Sequence, residues 1–298
     1  MTDGTVGTTR TEAEIASQPD CWRRVAEVPA GALPRRGERV AVVGCGTSWF
    51  IAQAYAALRE RAGHGETDAF AASEVPAGRS YDRVLALTRS GTTTEVLELL
   101  ERLRPTGTPT TAITADPSTP IMTLADEVVV LDFADEESVV QTRFATTQLA
   151  LLRAHLGEDV SGAIADAERV LAEPLPDELI SAEQFTFLGR GWTYGLALEA
   201  ALKMREACRA WTESYPAMEY RHGPISIAGP GRITWMLGEA PDGLRGEVEA
   251  TGGSFVESGL DPMAELVRVQ RVAVARARAA GLDPDRPMHL TRSVILPG

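Results

Sequence analysis

The chain has 298 residues, of which 44% are hydrophobic and 24% are charged, a balance typical of a globular protein in water. Its formal net charge of −13 excludes a general nucleic-acid binder, because neutralising phosphates requires a basic surface. Three cysteines without metal-ligand spacing favour neither a disulfide framework nor a metal site. We find no apolar run long enough to span a membrane and no signal-peptide segment, so we expect a cytoplasmic protein without a membrane partner.

Apolar runs alternate with helical patterns from residue 39 onward. In the first half the sequence predicts strands at residues 39–43, 83–88, 110–114 and 127–131, and helices at residues 48–61, 92–103 and 142–155. Strands that alternate with helices predict an α/β fold, in which a mostly parallel sheet carries helices on both faces.

The second half repeats this scheme after a polar, proline-containing stretch near residue 175. We predict strands at residues 185–188, 232–237, 253–256 and 293–296, and helices at residues 193–209 and 263–280. At an offset of 145 residues, small side chains of the first unit match those of the second: Gly44, Gly46, Ala52 and Ala56 align with Gly189, Gly191, Ala197 and Ala201. An internal duplication is therefore the preferred architecture. We expect an N-terminal arm, residues 1–35, packed on a neighbour, and two domains, residues 36–160 and 180–298.

Two hydroxyl-rich turns follow successive strands of the predicted first sheet, at residues 44–48 and 88–93. Each opens a helix, and free N–H groups at a helix start favour an anion. Serine and threonine are also ordinary helix caps, but both turns lie at the carboxyl edge of the sheet, where ligands bind in such folds. Trp49 stands where a dinucleotide site needs a small residue, and the nucleotide P-loop pattern is missing. We therefore expect phosphate binding without a cofactor.

Lys203 is the only lysine in the chain, which otherwise uses arginine for positive charge. An ammonium group shifts its pKa readily on burial, whereas a guanidinium stays charged, so a site that needs a tunable amine requires lysine. Glu206 is three residues further along the same predicted helix, and this spacing brings both side chains to one face. The pair is a candidate for proton-transfer chemistry, although an ordinary solvated Lys/Glu pair would give the same pattern.

From about residue 40 to the C-terminus the chain resembles the sugar isomerase (SIS) family, in particular the isomerase half of glutamine-fructose-6-phosphate amidotransferase and the related deaminases and ketose-aldose isomerases. The carriers of the resemblance are residues 45–48, 90–93, 142–149, 197–206 and 222–224. It implies two tandem SIS-type domains and a hexosamine 6-phosphate substrate. It also implies a homodimer with shared active sites.

The family pattern implies roles for individual residues. Phosphate binding falls to Ser48, Thr88, Arg89, Ser90 and Thr93, and the sugar hydroxyls would be bordered by Thr47, Gln141 and Thr142. Glu206 resembles the base that moves a proton between C1 and C2, Lys203 the group beside the C1 oxygen, and His222 the ring-opening residue, supplied by the neighbouring subunit. These residue types suit the chemistry, because an enediolate needs a carboxylate base and a cation, and histidine can protonate a ring oxygen near neutral pH.

Three departures from the amidotransferase pattern qualify the resemblance. We expect no glutamine hydrolysis within this chain, because the glutaminase domain is missing. Thr92 and Arg89 replace an acidic residue and a glutamine of the phosphate turn, which gives the predicted pocket one extra cation. Arg292 stands where the amidotransferase has its Schiff-base lysine, and arginine does not form that imine.

Several functions remain open from the sequence. Removal of the C2 proton of an aminohexose 6-phosphate leads to aldose-ketose isomerisation or, with a free amine, to deamination. With an acylated amine, the same base could eliminate water and make the enzyme a dehydratase. A non-catalytic sugar-phosphate sensor is the alternative from another class, but it would need neither Glu206 nor His222. We expect an isomerase and deaminase first, and a dehydratase second.

Overall fold

The computed structural model describes residues 7–296, in which two parallel sheets are flanked by helices. The elements of the first half are α1 (Arg10–Ala16), α2 (Gln18–Arg24), β1 (Val40–Gly44), α3 (Thr47–Arg61), β2 (Thr67–Ala71), β3 (Arg83–Leu87), α4 (Thr94–Leu103), β4 (Thr110–Thr114), α5 (Ile121–Leu124), β5 (Glu127–Val130), α6 (Arg143–His155) and α7 (Ser161–Ala172). Those of the second half are α8 (Asp177–Ser181), β6 (Gln184–Gly189), α9 (Thr193–Cys208), β7 (Thr212–Pro216), β8 (Arg232–Leu237), α10 (Leu244–Glu249), β9 (Ser254–Val256) and α11 (Pro262–Ala279).

The two sheets share a strand order. The first runs β2-β1-β3-β4-β5 and the second β7-β6-β8-β9, and every neighbouring pair is parallel. The central strands β1, β3 and β4 are buried along their whole length, as expected for a sheet covered on both faces. The predicted α/β fold with parallel sheets is confirmed.

Two edge strands are not predicted by the sequence. Neither β2, with the sequence TDAFA, nor β7, with TESYP, presents a continuous apolar run. Both lie at a sheet edge and are mostly half-buried, so hydrophobic burial leaves little trace in their sequences. Pro216 is tolerated at the end of β7 because an edge strand has ladder positions that need no N–H donor.

The prediction that residues 293–296 complete the second sheet is wrong. The fourth strand of that sheet is β7, and residues 290–296 instead lie beside the start of α4, where the Thr94 amide donates to the Val294 carbonyl at 3.2 Å. The apolar side chains of this segment stay exposed, at 51% for Val294 and 70% for Ile295. An apolar run can therefore have the sequence pattern of a buried strand although it stays exposed and forms no strand.

The N-terminal helices pack within their own chain. Trp22 of α2 is fully buried, and its indole Nε1 donates to Thr146 Oγ1 of α6 at 3.0 Å. Thr11 of α1 is tied to the far end of the chain by hydrogen bonds of its amide and hydroxyl to Asp285 at 2.9 and 2.7 Å. One hydrophobic cluster runs through these helices and both halves, including Ile51 of α3 and Leu196 of α9.

Candidate active site

The two halves meet along α3 and α9, which run antiparallel. Gly195 near the start of α9 faces the middle of α3, and a Cβ there would lie 2.5 Å from the Phe50 carbonyl oxygen. Glycine is therefore required for this close approach. At the other end of the contact, Lys203 of α9 meets Thr47, the first residue of α3. The packing of the two helices thus delivers the end of α9 to the carboxyl edge of the first sheet.

Lys203 is buried among three polar groups. Its Nζ donates to Thr47 Oγ1 at 3.0 Å and to Glu206 Oε2 at 2.5 Å, and lies 3.4 Å from Glu199 Oε1. Burial acts to lower the pKa of Lys203, but the carboxylates of Glu199 and Glu206 outweigh it, so the pKa is raised. The ammonium is charged and held in a fixed position. The predicted proximity of Lys203 and Glu206 is confirmed.

Glu199 is a third member of this cluster that the sequence analysis missed. Its side chain is fully buried, and neither carboxylate oxygen has a hydrogen-bond partner of good geometry among residues 7–296. Burial raises its pKa to about 7; Lys203 opposes the rise and Glu206 adds to it. Glu199, Lys203 and Glu206 are spaced four and three residues apart, so the helical repeat of a single face could have revealed it.

Glu206 borders a cavity of about 270 Å³ at the carboxyl edge of the first sheet. Its side chain retains 18% exposure, whereas Lys203 behind it retains 1%. The cavity is lined by most of the predicted binding residues, namely Thr47, Ser48, Thr88, Arg89, Ser90, Thr93, Gln141 and Arg292. The Glu206 carboxylate and the hydroxyl groups of the two turns thus border the same cavity.

The two turns around the cavity have the backbone geometry expected of anion-binding loops. Gly44 must be glycine, because a Cβ would lie 2.7 Å from Ser48, and Gly46 has a positive φ of 53°. Gly91 also has a positive φ, of 62°, and its amide donates to Thr88 Oγ1 at 3.2 Å. Both turns lead into helices, α3 and α4.

Arg89 does not present a free cation to the cavity. Its guanidinium lies 3.4 Å from Glu136, donates to the Ser138 carbonyl at 3.2 Å and donates to the Arg292 carbonyl at 2.9 Å. Arg89 and Glu136 are both buried, at 5% and 0% side-chain exposure. The expected extra positive charge of Arg89 is therefore balanced by Glu136, and its N–H groups donate to backbone carbonyls of two loops.

Thr142 and Arg292 are held by the same loop. Thr142 donates its amide and its hydroxyl to Glu136 Oε1 at 2.6 and 2.8 Å, and so lies at the start of α6 and outside the lining of the cavity. Arg292 donates from Nε to the Glu136 carbonyl at 3.1 Å and pairs with Asp135. The segment of Asp135 and Glu136 thus holds both residues: the Glu136 carboxylate binds Thr142, whereas the Glu136 carbonyl and Asp135 bind Arg292.

His222 lies far from Glu206 in the same chain. Strand β7 begins beside the end of α9, where Thr212 Oγ1 donates to the Ala201 carbonyl at 2.9 Å, and runs away from it for five residues, about 13 Å. At its far end the Ala217 amide donates to the Gly189 carbonyl, at the carboxyl end of β6. The exposed His222 follows in a short 3₁₀ turn at this opposite edge of the molecule.

Residues 35–156 match the family model described as the SIS domain. Glutamine--fructose-6-phosphate aminotransferase [isomerizing] of Gloeobacter violaceus is 29% identical to this chain over 87% of its length, and that of Sulfolobus acidocaldarius is 28% identical over 87%. The aligned regions are 52% and 50% of those proteins, so the chain spans about half the length of the curated relatives it matches.

Solved structures extend the similarity to almost the whole chain. Glucosamine-6-phosphate deaminase from Thermotoga maritima matches 97% of this chain with all of its own, at 26% identity and a TM-score of 0.82. Tagatose-6-phosphate ketose/aldose isomerase from Escherichia coli matches 97% of this chain with 96% of its own at a TM-score of 0.77, and its 17% identity shows a shared fold alone.

Across residues 7–296, the helices are too short or too polar to cross a membrane. Within the same residues, no group of three or more His, Cys, Asp or Glu side chains is arranged to hold a metal ion.

Proposed function

We propose that this chain is an enzyme that isomerises an aminohexose 6-phosphate, such as glucosamine 6-phosphate, and releases its amine. The observation that carries the proposal is the position of Glu206. One of its oxygens is held at 2.5 Å by a buried ammonium while the side chain borders a cavity with hydroxyl groups on its far side. This is the arrangement that proton transfer within a bound sugar phosphate requires.

The hydroxyl groups of Ser48, Ser90 and Thr93 would bind the phosphate. They line the cavity near the starts of α3 and α4, where the helix dipoles favour an anion. A chain with a formal charge of −13 must bind an anion with such local donors. The phosphate would then anchor the sugar with C1 and C2 directed toward Glu206.

In the proposed reaction Glu206 removes the C2 proton of the open-chain aldehyde, and the electron pair moves into a C1–C2 double bond, leaving negative charge on the C1 oxygen. Lys203 lies beside this oxygen and stabilises the charge. Return of the proton to C1, with transfer of one amine proton to the C1 oxygen, converts C1 into a CH₂OH group and C2, when it carries a free amine, into an imine. Water adds to the imine and ammonia leaves, which yields the ketose 6-phosphate.

The fate of the nitrogen decides between the candidate reactions, and it is tested with a panel of substrates. Glucosamine, N-acetylglucosamine and galactosamine 6-phosphates are incubated with the enzyme, and ammonia, ketose phosphate and ultraviolet-absorbing dehydration products are measured. Ammonia with equimolar ketose phosphate from glucosamine 6-phosphate supports the proposal. Dehydration products from the N-acetyl substrate would assign a dehydratase, and binding without any turnover would assign a sensor.

We further propose that the active enzyme is a homodimer with shared active sites. His222 lies at the edge of the second sheet opposite to Glu206 and is exposed, so one chain does not bring the two residues together. A second copy that presents its His222 to the cavity would supply the acid that opens the sugar ring. The isolated chain would lack this group.

The chain is further proposed to consist of two SIS-type domains, residues 36–160 and 180–298, that arose by duplication. The common strand order of the two sheets supports this division. So does the geometry of the first turns, because Gly46 and Gly191 have positive φ values of 53° and 54° and Gly44 and Gly189 both leave no room for a Cβ. We propose a cytoplasmic location, where sugar phosphates are available.

A further inference from the structure

Residues 290–296, called the strap below, cross the carboxyl edge of the first sheet and form part of the cavity wall. Ser90 Oγ and Thr92 Oγ1 both bond to Ser293 Oγ, at 3.0 and 2.9 Å. The amide of Thr94, the first residue of α4, donates to the Val294 carbonyl at 3.2 Å. The strap therefore offers oxygen atoms to the same turn that the proposed function assigns to a phosphate.

Counting hydroxyl hydrogens shows that these contacts compete with an anion. Ser90, Thr92 and Ser293 carry one hydroxyl hydrogen each, and their two mutual bonds consume two of the three. A phosphate oxygen accepts hydrogen bonds and donates none in its charged form. The three hydroxyl groups together thus leave one donor for a ligand, whereas Ser90 and Thr92 would offer two if Ser293 were removed.

The strap is tethered independently of these contacts. Arg89 donates to the Arg292 carbonyl at 2.9 Å, and the Arg292 side chain is bound to Asp135 and to the Glu136 carbonyl. These bonds involve the residue immediately before Ser293 and leave the Ser293 hydroxyl free to rotate away. Ser293 can thus be displaced while Arg89 keeps the strap beside the cavity.

We propose that the strap is a built-in competitor for the phosphate turn, in which Ser293 occupies the Ser90 and Thr92 hydroxyls until a bound phosphate displaces it. This inference rests on the proposed function of the turn as a phosphate site. It gives Arg89 the role of a positioning residue that holds the strap in place. Ser293 thus excludes weakly binding anions from the turn and is displaced by a ligand that also contacts Ser48.

Ser293→Ala tests the proposal, with inorganic phosphate and glucosamine 6-phosphate as probes in isothermal titration calorimetry of the full chain. Loss of the competing hydroxyl is expected to tighten binding of both by about threefold to tenfold, the effect of releasing one hydrogen-bond donor to a charged group. Ser293→Thr retains the hydroxyl and should keep the wild-type affinity. The matched control is Ser73→Ala, because Ser73 is exposed and its hydroxyl bonds only to the neighbouring Glu74.

The outcomes separate this proposal from the phosphate site itself. Equal or weaker binding by Ser293→Ala, with clear binding by the wild type, would overturn the competing strap and leave the phosphate site in place. A failure of wild type and variants alike to bind either probe would overturn both. In a Ser90→Ala background the gain from Ser293→Ala should vanish, because one donor is then available with or without the Ser293 hydroxyl.

Discussion

The carboxyl edges of the two sheets have the same architecture and different chemistry. Both follow the same strand order, and in both a glycine turn with positive φ leads into a helix. The first edge carries hydroxyl groups around a cavity of about 270 Å³, whereas the second carries exposed Arg190, buried Trp192 and a pocket of about 550 Å³ bordered by Glu239 and Glu257. Carboxylates repel a phosphate. The two edges therefore share a backbone arrangement and differ in the side chains that a ligand would meet.

Each half also contributes a helix to the other edge, with different side chains. The last turns of α9 bring Lys203 and Glu206 to the first edge. The last turn of α6 brings Arg153 to the second edge, where it pairs with Asp261 at 2.9 Å and lies over the Trp192 ring. The first edge thus receives polar groups from both halves. Pairs of related residues at the two edges provide controls for the following experiments.

The largest effect is expected for Glu206→Gln. The amide keeps the shape of the side chain and removes its ability to take a proton, so turnover should fall by about 10²–10⁴ while sugar-phosphate binding survives. Solvent deuterium should enter C1 or C2 of the product with the wild type and not with the variant. Glu239→Gln at the second edge is the control and should retain full turnover. Full activity of Glu206→Gln would show that Lys203 and Glu206 form a structural pair without a role in catalysis.

Mixing two inactive variants tests the shared active site. Chains with Glu206→Gln and chains with His222→Ala, dissociated and reassociated together, should recover about a quarter of wild-type turnover, because about half of the dimers are mixed and each has one intact site. Either variant alone should remain inactive. The mixed species is verified by native mass spectrometry. No recovery in verified mixed dimers would contradict a site built from two chains.

Ser48→Ala and Ser90→Ala should each weaken binding of a sugar 6-phosphate by about 1–2 kcal/mol, as expected for a hydrogen bond to a charged group. Thr193→Ala is the matched control, because Thr193 occupies at the second edge the place that Ser48 has at the first. Its hydroxyl accepts from the Arg190 amide at 2.8 Å, so the substitution affects stability and not phosphate affinity. Calorimetry with glucosamine and its 6-phosphate supplies the measurement. Equal affinity for both sugars would refute the phosphate assignment.

The smallest effect concerns the pH dependence of stability. Folding raises the pKa of Glu199 from its ordinary value of 4.5 to about 7, so the folded chain holds a proton that the unfolded chain releases. Between about pH 4.5 and 7 the free energy of unfolding therefore falls as the pH rises, and it stays lower above that range. Glu199→Gln should remove this dependence and add about 1–3 kcal/mol of stability near pH 8.

Urea unfolding at a series of pH values measures this prediction. Glu98→Gln serves as the control, since Glu98 is exposed on α4 and its substitution should leave the pH profile of the wild type unchanged. A Glu199→Gln variant with the same pH profile as the wild type would show that the buried carboxyl group is not the origin of the dependence.

Helices and buried strands were predicted where hydrophobic periodicity is strong. The observed bounds of β3 and β4 agree with the prediction to within one residue, because burial on both faces selects a continuous apolar run. The same criterion fails at β7, an edge strand, and misassigns residues 293–296, whose apolar side chains remain exposed. Burial depends on what packs against a segment, and the segment itself does not contain that information.

For the candidate site, the sequence by itself determined the residue types and their order: the two hydroxyl-rich turns, the single lysine and Glu206 three residues beyond it. Only the tertiary structure decided that α9 reaches the first edge, that Glu199 is buried beside Lys203, and that Glu136 compensates Arg89. It also separated His222 from Glu206. Local spacing follows from helix geometry along one segment, whereas charge pairing and distances between segments depend on packing across the whole chain.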